Sequence, residues 1–588
     1  MLAGRHDHHQ LMQRAFDLGC PQGALSDVET ESEPEEAMTT HIRYTGDGAP
    51  DRGLSCGALV LEALRQHQHL TRPSQVDAHL GTAMSFKELL VQTVLAAEGW
   101  RLTGLGKGDT VALVSRNQHE AFPAVLGAMV AGLTVACAVP TATPSELRHA
   151  LTLVQPRMVI SEPDKLALSR EAYPGAPHMV LRGDAPDGVM TFQELMRKGE
   201  AADPPPDPDT YEAADVGEDR TEHVGFVLFS SGTTGLPKGV RLRDTLNTLL
   251  IHNITAVMQP RDGEGVYMDV DQTLLISSPL CWVSGVWQTL RGIIFANTRV
   301  FCSTTDDVMV MSVIDKYKID TWMAAPAVLV AFVSLYLSHY RERYDLSSLK
   351  TILVGGSPTS AEVQESVAKD LNVQVVQVYG ATEAGFVFGP TSAEPAPYGS
   401  LGKLVPWVEL RLVDPDTGDD IPASTKNKVG EARVRSPYLL HSYVNNPEET
   451  AKACDELGFY KTGDLVYEDD DGYFFFVDRI KEMMKFKNLQ IAPAEIEMVL
   501  LQHPGIQEAC VLGKSDPVVG DLPTAFVSRA FNEEGEALTE DDVKALVADK
   551  LSDYKQLRGG VIFLEKLPKT VTGKIARREL KEMLRALP

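Results

Sequence analysis

The sequence predicts an α/β protein: a large N-terminal part built on parallel α/β sheets, a β-barrel-like region following it, and a small mobile α+β unit at the C-terminus. Three observations lead there. From about residue 54, β-branched runs alternate with amphipathic helical segments, the pattern of a parallel sheet covered on both faces. After about residue 398 the segments become strand-like and are joined by Gly/Asp turns such as Asp416-Thr417-Gly418-Asp419. At 588 residues the chain is also too long for one hydrophobic core.

Taken in order, residues 1–50 mix His, acidic and small polar types, with an acidic run from Asp27 to Glu36, and read as a disordered tail; His6, His8 and His9 lack ligands in a folded context. Residues 51–480 carry the alternation. Helical segments at Ala58–Gln66 and Phe86–Leu102 precede a strand Thr110–Val114, a helix Ala121–Ala131 and a strand Thr134–Val139. The uncharged stretch Ala121–Pro140 has the composition of a membrane span, but it is Ala/Gly-rich, and Gly132 splits it into helix and buried strand. Strands follow at Met158–Ile160 and Met179–Leu181, then a Pro/Asp-rich loop from Glu200 to Glu218. The pattern resumes at Leu274–Ser277, Arg299–Cys302, Thr321–Ala324, Thr351–Val354 and Val373–Val378. Meandering strands are expected at Glu409–Val413, Glu431–Val434 and Tyr473–Val477. Residues 481–588 form the last unit, whose helix Pro493–Gln502 should bury Ile496, Val499 and Leu500.

Fifty-five basic against 81 acidic side chains leave a net charge of −26, a surface that repels phosphate backbones and excludes nucleic acid as an expected partner. Seven scattered cysteines without a CxxC pair argue against a disulfide framework or a zinc site. The N-terminus shows no secretory pattern and Ala586-Leu587-Pro588 is no peroxisomal address, so a cytoplasmic setting is expected.

The strongest local signal is Phe229-Ser230-Ser231-Gly232-Thr233-Thr234-Gly235-Leu236-Pro237-Lys238-Gly239, directly after the apolar run Val224–Leu228. Small residues let backbone N–H groups converge on an anion, the hydroxyls add donors, and Lys238 adds a mobile charge. The spacing is not that of a Walker loop. Further on, Tyr379 offers a flat ring for a base to stack on and Gly380 leaves room beside it. Thr382 and Glu383 supply hard oxygens for magnesium and phosphates. Asp464 suits a pair of sugar hydroxyls; by itself it reads as a turn residue after Gly463, and Arg479 as a salt-bridge partner.

The segment from Phe229 resembles the phosphate loop of the adenylate-forming superfamily: acyl-CoA synthetases, coumarate-CoA ligases, beetle luciferases and peptide-synthetase adenylation domains. The resemblance continues through Gly355-Gly356-Ser357-Pro358, Tyr379-Gly380-Ala381-Thr382-Glu383 and Tyr460-Lys461-Thr462-Gly463-Asp464. Asp478-Arg479-Ile480-Lys481, Lys485-Phe486-Lys487-Asn488 and Pro568-Lys569-Thr570-Val571-Thr572-Gly573-Lys574 complete it, so it covers the chain from about residue 55 onward. It implies an AMP-binding domain over 51–480 and a C-terminal lid over 481–588. Implied too are ATP, magnesium and coenzyme A, a carboxylic-acid substrate, acyl-AMP formation and then thioester formation.

Within that resemblance Ser230, Ser231, Gly232, Thr233, Thr234, Gly235, Lys238, Gly356, Ser357, Tyr379, Gly380, Asp464 and Arg479 would bind ATP, and Glu383 the metal. Lys574 would offset charge as the carboxylate attacks the α-phosphate. Lys481 matches the hinge about which the lid turns, replacing Lys574 at the site by a face carrying Lys485 and Lys487, which alternate along a strand-like segment. Asn488 stands where many relatives have Gly, beside the pantetheine tunnel. The acid pocket would involve Leu250, Cys281, Trp282 and Gly285; no carboxylate there holds an amino group, so a fatty or aromatic acid is expected. Trp282 also suits core packing. The likeness is greatest to luciferase-like acyl-CoA synthetases, yet luciferases carry His where this chain has Trp282 and Arg where it has Leu250. A luciferase-like monooxygenase and a catalytically silent nucleotide-binding protein stand as the alternatives.

Overall fold

The computed structural model describes residues 42–44, 54–217, 222–230, 237–244, 271–302, 306–390, 395–487, 489–516, 519–570 and 574–586. His6, His8 and His9, Ser231, Gly232, Thr233, Thr234 and Gly235, Leu250 and Asn488 lie outside these residues, as does most of the tail expected over 1–50. Where that tail is described it departs from the expectation: Arg43–Tyr44 pairs as a strand with Glu409–Val413, and Arg43 is buried with its Nε 2.6 Å from Glu468 Oε2, a distant partner that nothing local in the sequence reveals.

Two large sheets form the body. The first has eight strands in the order Ser442–Tyr443, Lys238–Arg243, Val224–Ser230, Thr134–Ala138, Thr110–Val114, Met158–Ser161, His178–Val180 and Met190–Thr191. Its strands run parallel from Val224–Ser230 outward to Met190–Thr191, and antiparallel where Lys238–Arg243 turns back on Val224–Ser230. The uncharged Ala121–Pro140 stretch lies at its centre as a buried helix Ala121–Val130, a left-handed Gly132 (φ 74°) and the strand Thr134–Ala138. Only glycine takes that backbone without a Cβ penalty, so the residue that splits the run also turns it. Among the described residues no helix is long and apolar enough to cross a membrane.

The second sheet has nine strands and is parallel through Gln374–Ala381, Thr351–Gly355, Thr321–Ala324, Thr273–Ile276, Thr298–Phe301 and Pro73–Asp77. Antiparallel partners close both edges: Thr82–Ser85 at one, Gly385–Gly389 and Lys403–Leu404 at the other. The hairpin from Pro73 to Ser85 escapes the sequence reading because the most deeply buried positions of its first strand are polar. Ser74 and Gln75 are fully buried, and they are satisfied by an equally buried Arg299 from the neighbouring strand, which donates to Ser74 O, Ser74 Oγ and Gln75 Oε1 at 3.3, 3.1 and 3.1 Å.

The meander after residue 398 is a six-stranded antiparallel sheet holding Arg43–Tyr44, Glu409–Val413, Gly430–Arg435, Tyr460–Glu468 and Phe474–Arg479, with Asp420–Ile421 on the second strand. Its last strand runs two residues further than the sequence suggests and so carries Asp478 and Arg479. The C-terminal unit has a five-stranded sheet built from Leu489–Ile491, Met484–Phe486, Gly520–Arg529, Ile506–Asp516 and Gly560–Leu564. The helix Pro493–Leu500 buries Ile496, Val499 and Leu500 against it. Met484, Phe486, Ile496, Leu500, Val511 and Val527 belong to a core separate from those of the body.

Candidate active site

Asp464 sits in the middle of the strand Tyr460–Glu468, directly opposite Arg479 on Phe474–Arg479. The pairing settles how the two residues relate: Arg479 Nε lies 3.0 Å from Asp464 Oδ1, and Asp464 is buried while the guanidinium is half exposed. The other carboxylate oxygen accepts from Tyr379 OH at 2.5 Å. Tyr379 reaches it from the next sheet, on the strand Gln374–Ala381, with its ring 5.4 Å from Phe388. Burial first, and the Asp464 carboxylate second, push the Tyr379 phenol well above its ordinary value, so it stays a donor.

Gly380 follows Tyr379 and pairs with Phe386 across the hairpin; a Cβ there would stand 2.4 Å from Gly385 O, so the close crossing admits no larger residue. The turn of that hairpin carries Thr382, partly exposed, and Glu383, buried. Glu383 Oε1 accepts from Tyr443 OH at 3.2 Å, while its backbone carbonyl accepts from Leu440 N at 2.8 Å. Burial, then Glu383, raises the Tyr443 phenol, and the same two causes raise Tyr460 beside it. Among the described residues no group of three or more His, Cys, Asp and Glu could hold a metal. A lone carboxylate still fits magnesium, which is commonly held by one or two carboxylates with phosphates and water completing its shell.

Lys574 comes from the C-terminal unit, just before the helix Arg577–Ala586. Its side chain is exposed at the surface, yet desolvation by the surrounding protein, and next the Arg479 charge, lower its pKa, while Asp464 and Glu383 pull it back up. Residues from two sheets of the body and from the C-terminal unit therefore share one electrostatic neighbourhood.

The remaining candidates fall into three groups. Ser230 and Lys238 face each other as register partners at the ends of two antiparallel strands, bracketing the Ser/Thr/Gly segment. Gly356 and Ser357 are exposed, immediately after the strand Thr351–Gly355. Cys281 and Gly285 are buried and Trp282 caps the helix Val283–Ile294; burial pushes the Cys281 thiol up to about 12, so it is no nucleophile at neutral pH. The Trp282 indole N–H is buried with no hydrogen-bond partner.

Lys481 is exposed in a short 3-10 turn, Ile480–Glu482, between the third sheet and the C-terminal unit. Lys485 and Lys487 are also exposed, but they do not alternate along one strand as expected. The strand ends at Phe486, and Lys487 takes a left-handed backbone, φ 48°, with Nζ 5.3 Å over the Phe486 ring. No hydrogen bond or ion pair joins either side chain to the Asp464 group among the described residues. Sequence reasoning gave Tyr443 and Glu449 no role and quoted Tyr460 only as a motif member. The signal for Glu449 was present: Asn446-Pro447 caps a helix whose first turn is acidic.

Residues 63–444 match the model of the AMP-binding enzyme family, and residues 495–574 that of the AMP-binding enzyme C-terminal domain. The chain is 35% identical over 526 residues to 4-coumarate–CoA ligase 3 of Oryza sativa subsp. japonica, covering 88% of this chain and 90% of that protein. It is 32% identical over 511 residues to luciferin 4-monooxygenase of Photinus pyralis, covering 86% and 90%. Its fold superposes on the anthranilate CoA ligase AuaEII with a TM-score of 0.77 at 24% identity, covering 90% of this chain and 97% of that one. With a family match over most of its length and relatives above 30% identity, the chain belongs to the AMP-binding, adenylate-forming enzymes.

Proposed function

We propose that the chain uses ATP and magnesium to convert a hydrophobic carboxylic acid, fatty or aromatic, into its acyl-AMP, and then passes the acyl group to coenzyme A. The observation that carries this reading is the Asp464 carboxylate, held by Tyr379 from a second sheet and by Arg479 from the paired strand, with the Lys574 charge of the C-terminal unit influenced by Arg479, Asp464 and Glu383. Asp464 would accept from the ribose hydroxyls, oriented by Tyr379 and Arg479, and the Tyr379 ring would lie along the base. Ser230 and Lys238, with the Ser231–Gly235 segment, would receive the phosphates, with Gly356 and Ser357 beside the nucleotide. Magnesium, held by Glu383 with Thr382 nearby, would neutralise phosphate charge.

In the first step a carboxylate oxygen attacks the α-phosphorus, the bond to the β-phosphate oxygen breaks, and pyrophosphate leaves. Negative charge gathers between two anions, and Lys574 supplies the placed positive charge that offsets it. In the second, the thiolate of coenzyme A attacks the acyl carbonyl and AMP leaves with the bonding electrons. That step would follow rotation about Lys481 that brings Lys485 and Lys487 toward the site, where positive charge offsets the departing phosphate and the thiolate. Cys281, Trp282, Gly285 and Leu250 would line the acid pocket. This reaction needs only small-molecule partners and no nucleic acid, in a cytoplasmic setting.

A silent nucleotide-binding protein would be expected to lose Lys574 or Glu383, and both are present. The similarity to luciferin 4-monooxygenases supports light emission as a second reading; Trp282 and Leu250 count against it. The test is acid-dependent pyrophosphate release over short-chain, long-chain, cinnamate-like and luciferin substrates, with and without coenzyme A. Pyrophosphate and thioester from a hydrophobic acid are expected. Silence across the panel overturns the reading, and accumulation of acyl-AMP at saturating coenzyme A overturns its second half.

A further inference from the structure

Lys238, at the end of the phosphate-loop segment, already has a carboxylate partner in its own chain. Its Nζ lies 2.5 Å from Glu449 Oε2, with the lysine side chain 19% and the glutamate 36% exposed. The same Nζ stands 5.3 Å over the Tyr443 ring, whose hydroxyl donates to Glu383. Glu449 occupies the first turn of the helix Pro447–Ala453, with its backbone N–H donating to the capping Asn446 Oδ1 at 3.1 Å. Thr450 of that helix accepts from Tyr443 N at 3.0 Å, so one short segment places both the carboxylate and the ring against Lys238. Lys452 is a weaker neighbour of Glu449, at 3.7 Å. Hydrogen bonding to Lys238 is the first cause holding the Glu449 carboxyl below its usual range.

A first-turn acid by itself would be explained by the helix dipole. The dipole does not explain why this one reaches across to a lysine at the start of the strand Lys238–Arg243, far away in sequence. A lysine that receives the terminal phosphates of ATP must also let pyrophosphate go, and an unopposed charge binds both too well. A half-exposed ion pair is weak enough for a polyphosphate to displace and strong enough to compete for the lysine when product leaves.

We propose that Glu449 is a positioning residue that acts as an internal counterion for Lys238, yielding the lysine to the terminal phosphates of ATP and reclaiming it as pyrophosphate departs. The proposal rests on the reading of Lys238 as a phosphate ligand. It is tested on the full chain by calorimetric binding of ATP, inorganic pyrophosphate and AMP, none of which requires the acid substrate to be known. Glu449→Gln should tighten ATP and pyrophosphate about fivefold, the scale of a half-exposed pair, and leave AMP unchanged because AMP lacks the terminal phosphates. Glu449→Asp, which keeps the charge, should return both affinities toward the wild-type values. Lys238→Ala should weaken ATP and pyrophosphate and abolish the effect of a second change at Glu449. Unchanged or weaker pyrophosphate binding in Glu449→Gln, with Lys238→Ala still impaired, overturns the counterion role while the phosphate reading of Lys238 stands. Equal effects on ATP and AMP overturn it as well, pointing to the helix rather than the charge. If Lys238→Ala binds ATP and pyrophosphate like the wild type, the lysine's assignment falls and the proposal with it.

Discussion

Asp464 holds a phenol on one oxygen and a guanidinium on the other, so its carboxylate is fixed in advance for the sugar proposed to bind it. Lys574 is the complementary case, a charge brought to the site by another unit. Lys574→Ala should slow acyl-AMP formation by roughly 10²–10³-fold, the scale of removing one placed donor from a transition state, and spare thioester formation from supplied acyl-AMP; half-reaction rates decide it. The same residue sets a pH dependence. On the proposed reading its charged form is the working one, and its pKa is lowered from 10.5 by burial and Arg479. Free-enzyme kcat/KM for ATP should therefore hold below that lowered pKa and fall as pH rises through it, before an ordinary lysine would titrate. Lys574→Arg should move the alkaline limb upward; an unmoved limb would assign it to another group.

Among the elements, the hairpin Gln374–Ala381 and Gly385–Gly389 matters most, since it carries Tyr379 on a strand and Glu383 in its turn. Gly380→Ala would drive a Cβ into Gly385 O. The cost should be about 1–3 kcal/mol of stability, with a raised KM for ATP; a melting curve and ATP kinetics together check it. At the helix Val283–Ile294, Trp282→Ala should shift acid preference toward larger substrates by opening volume at the capping position. A lower melting temperature with an unchanged acid profile would make Trp282 a core residue. These elements differ in how well they show in the sequence. The helix Phe86–Leu102 is legible to the residue, because Ser85 and Glu88 form a capping box at one end and the apolar pattern runs to the other. The hairpin at Pro73–Ser85 is not, because Ser74 and Gln75 look like surface until Arg299 is seen beside them. Lys487 was read in strand phase with Lys485, since nothing local reveals the turn at φ 48°.

For the whole molecule the question is how the C-terminal unit is held. Asp478 Oδ2, at the end of the last strand of the body, accepts from Ala494 N at 2.8 Å. Arg577 Nη2 donates to both carboxylate oxygens of Glu497 at 2.6 and 2.7 Å, and Lys581 reaches back to Glu482 at 2.9 Å. The first of these joins the unit to the body, while the other two lie within the unit and tie its last helix, which follows Lys574, to the helix Pro493–Leu500 and to the turn Ile480–Glu482. In this arrangement Lys485 and Lys487 stand apart, which leads to the last expectation: changing both to Ala should leave acid-dependent pyrophosphate release largely intact and suppress acyl-CoA formation. A double variant that makes acyl-CoA at the wild-type rate would remove these lysines from the second step.

The sequence by itself determined the alternation of β-branched and helical segments, the order of the motifs, and through them the family. Each of those is local, written within a dozen residues by periodicity, turn chemistry and side-chain type. Only the tertiary structure decided that Asp464 and Arg479 are opposite one another on paired strands, that Tyr379 crosses from a second sheet to meet them, and that Glu449 reaches Lys238. Those contacts join residues far apart in the chain, and the register that creates them is set by the pleat, by buried pairs such as Arg299 with Ser74 and Gln75, and by close crossings such as Gly380 over Gly385. A charged or polar residue in sequence carries no mark of its distant partner. The partner exists only once the sheets have been assembled.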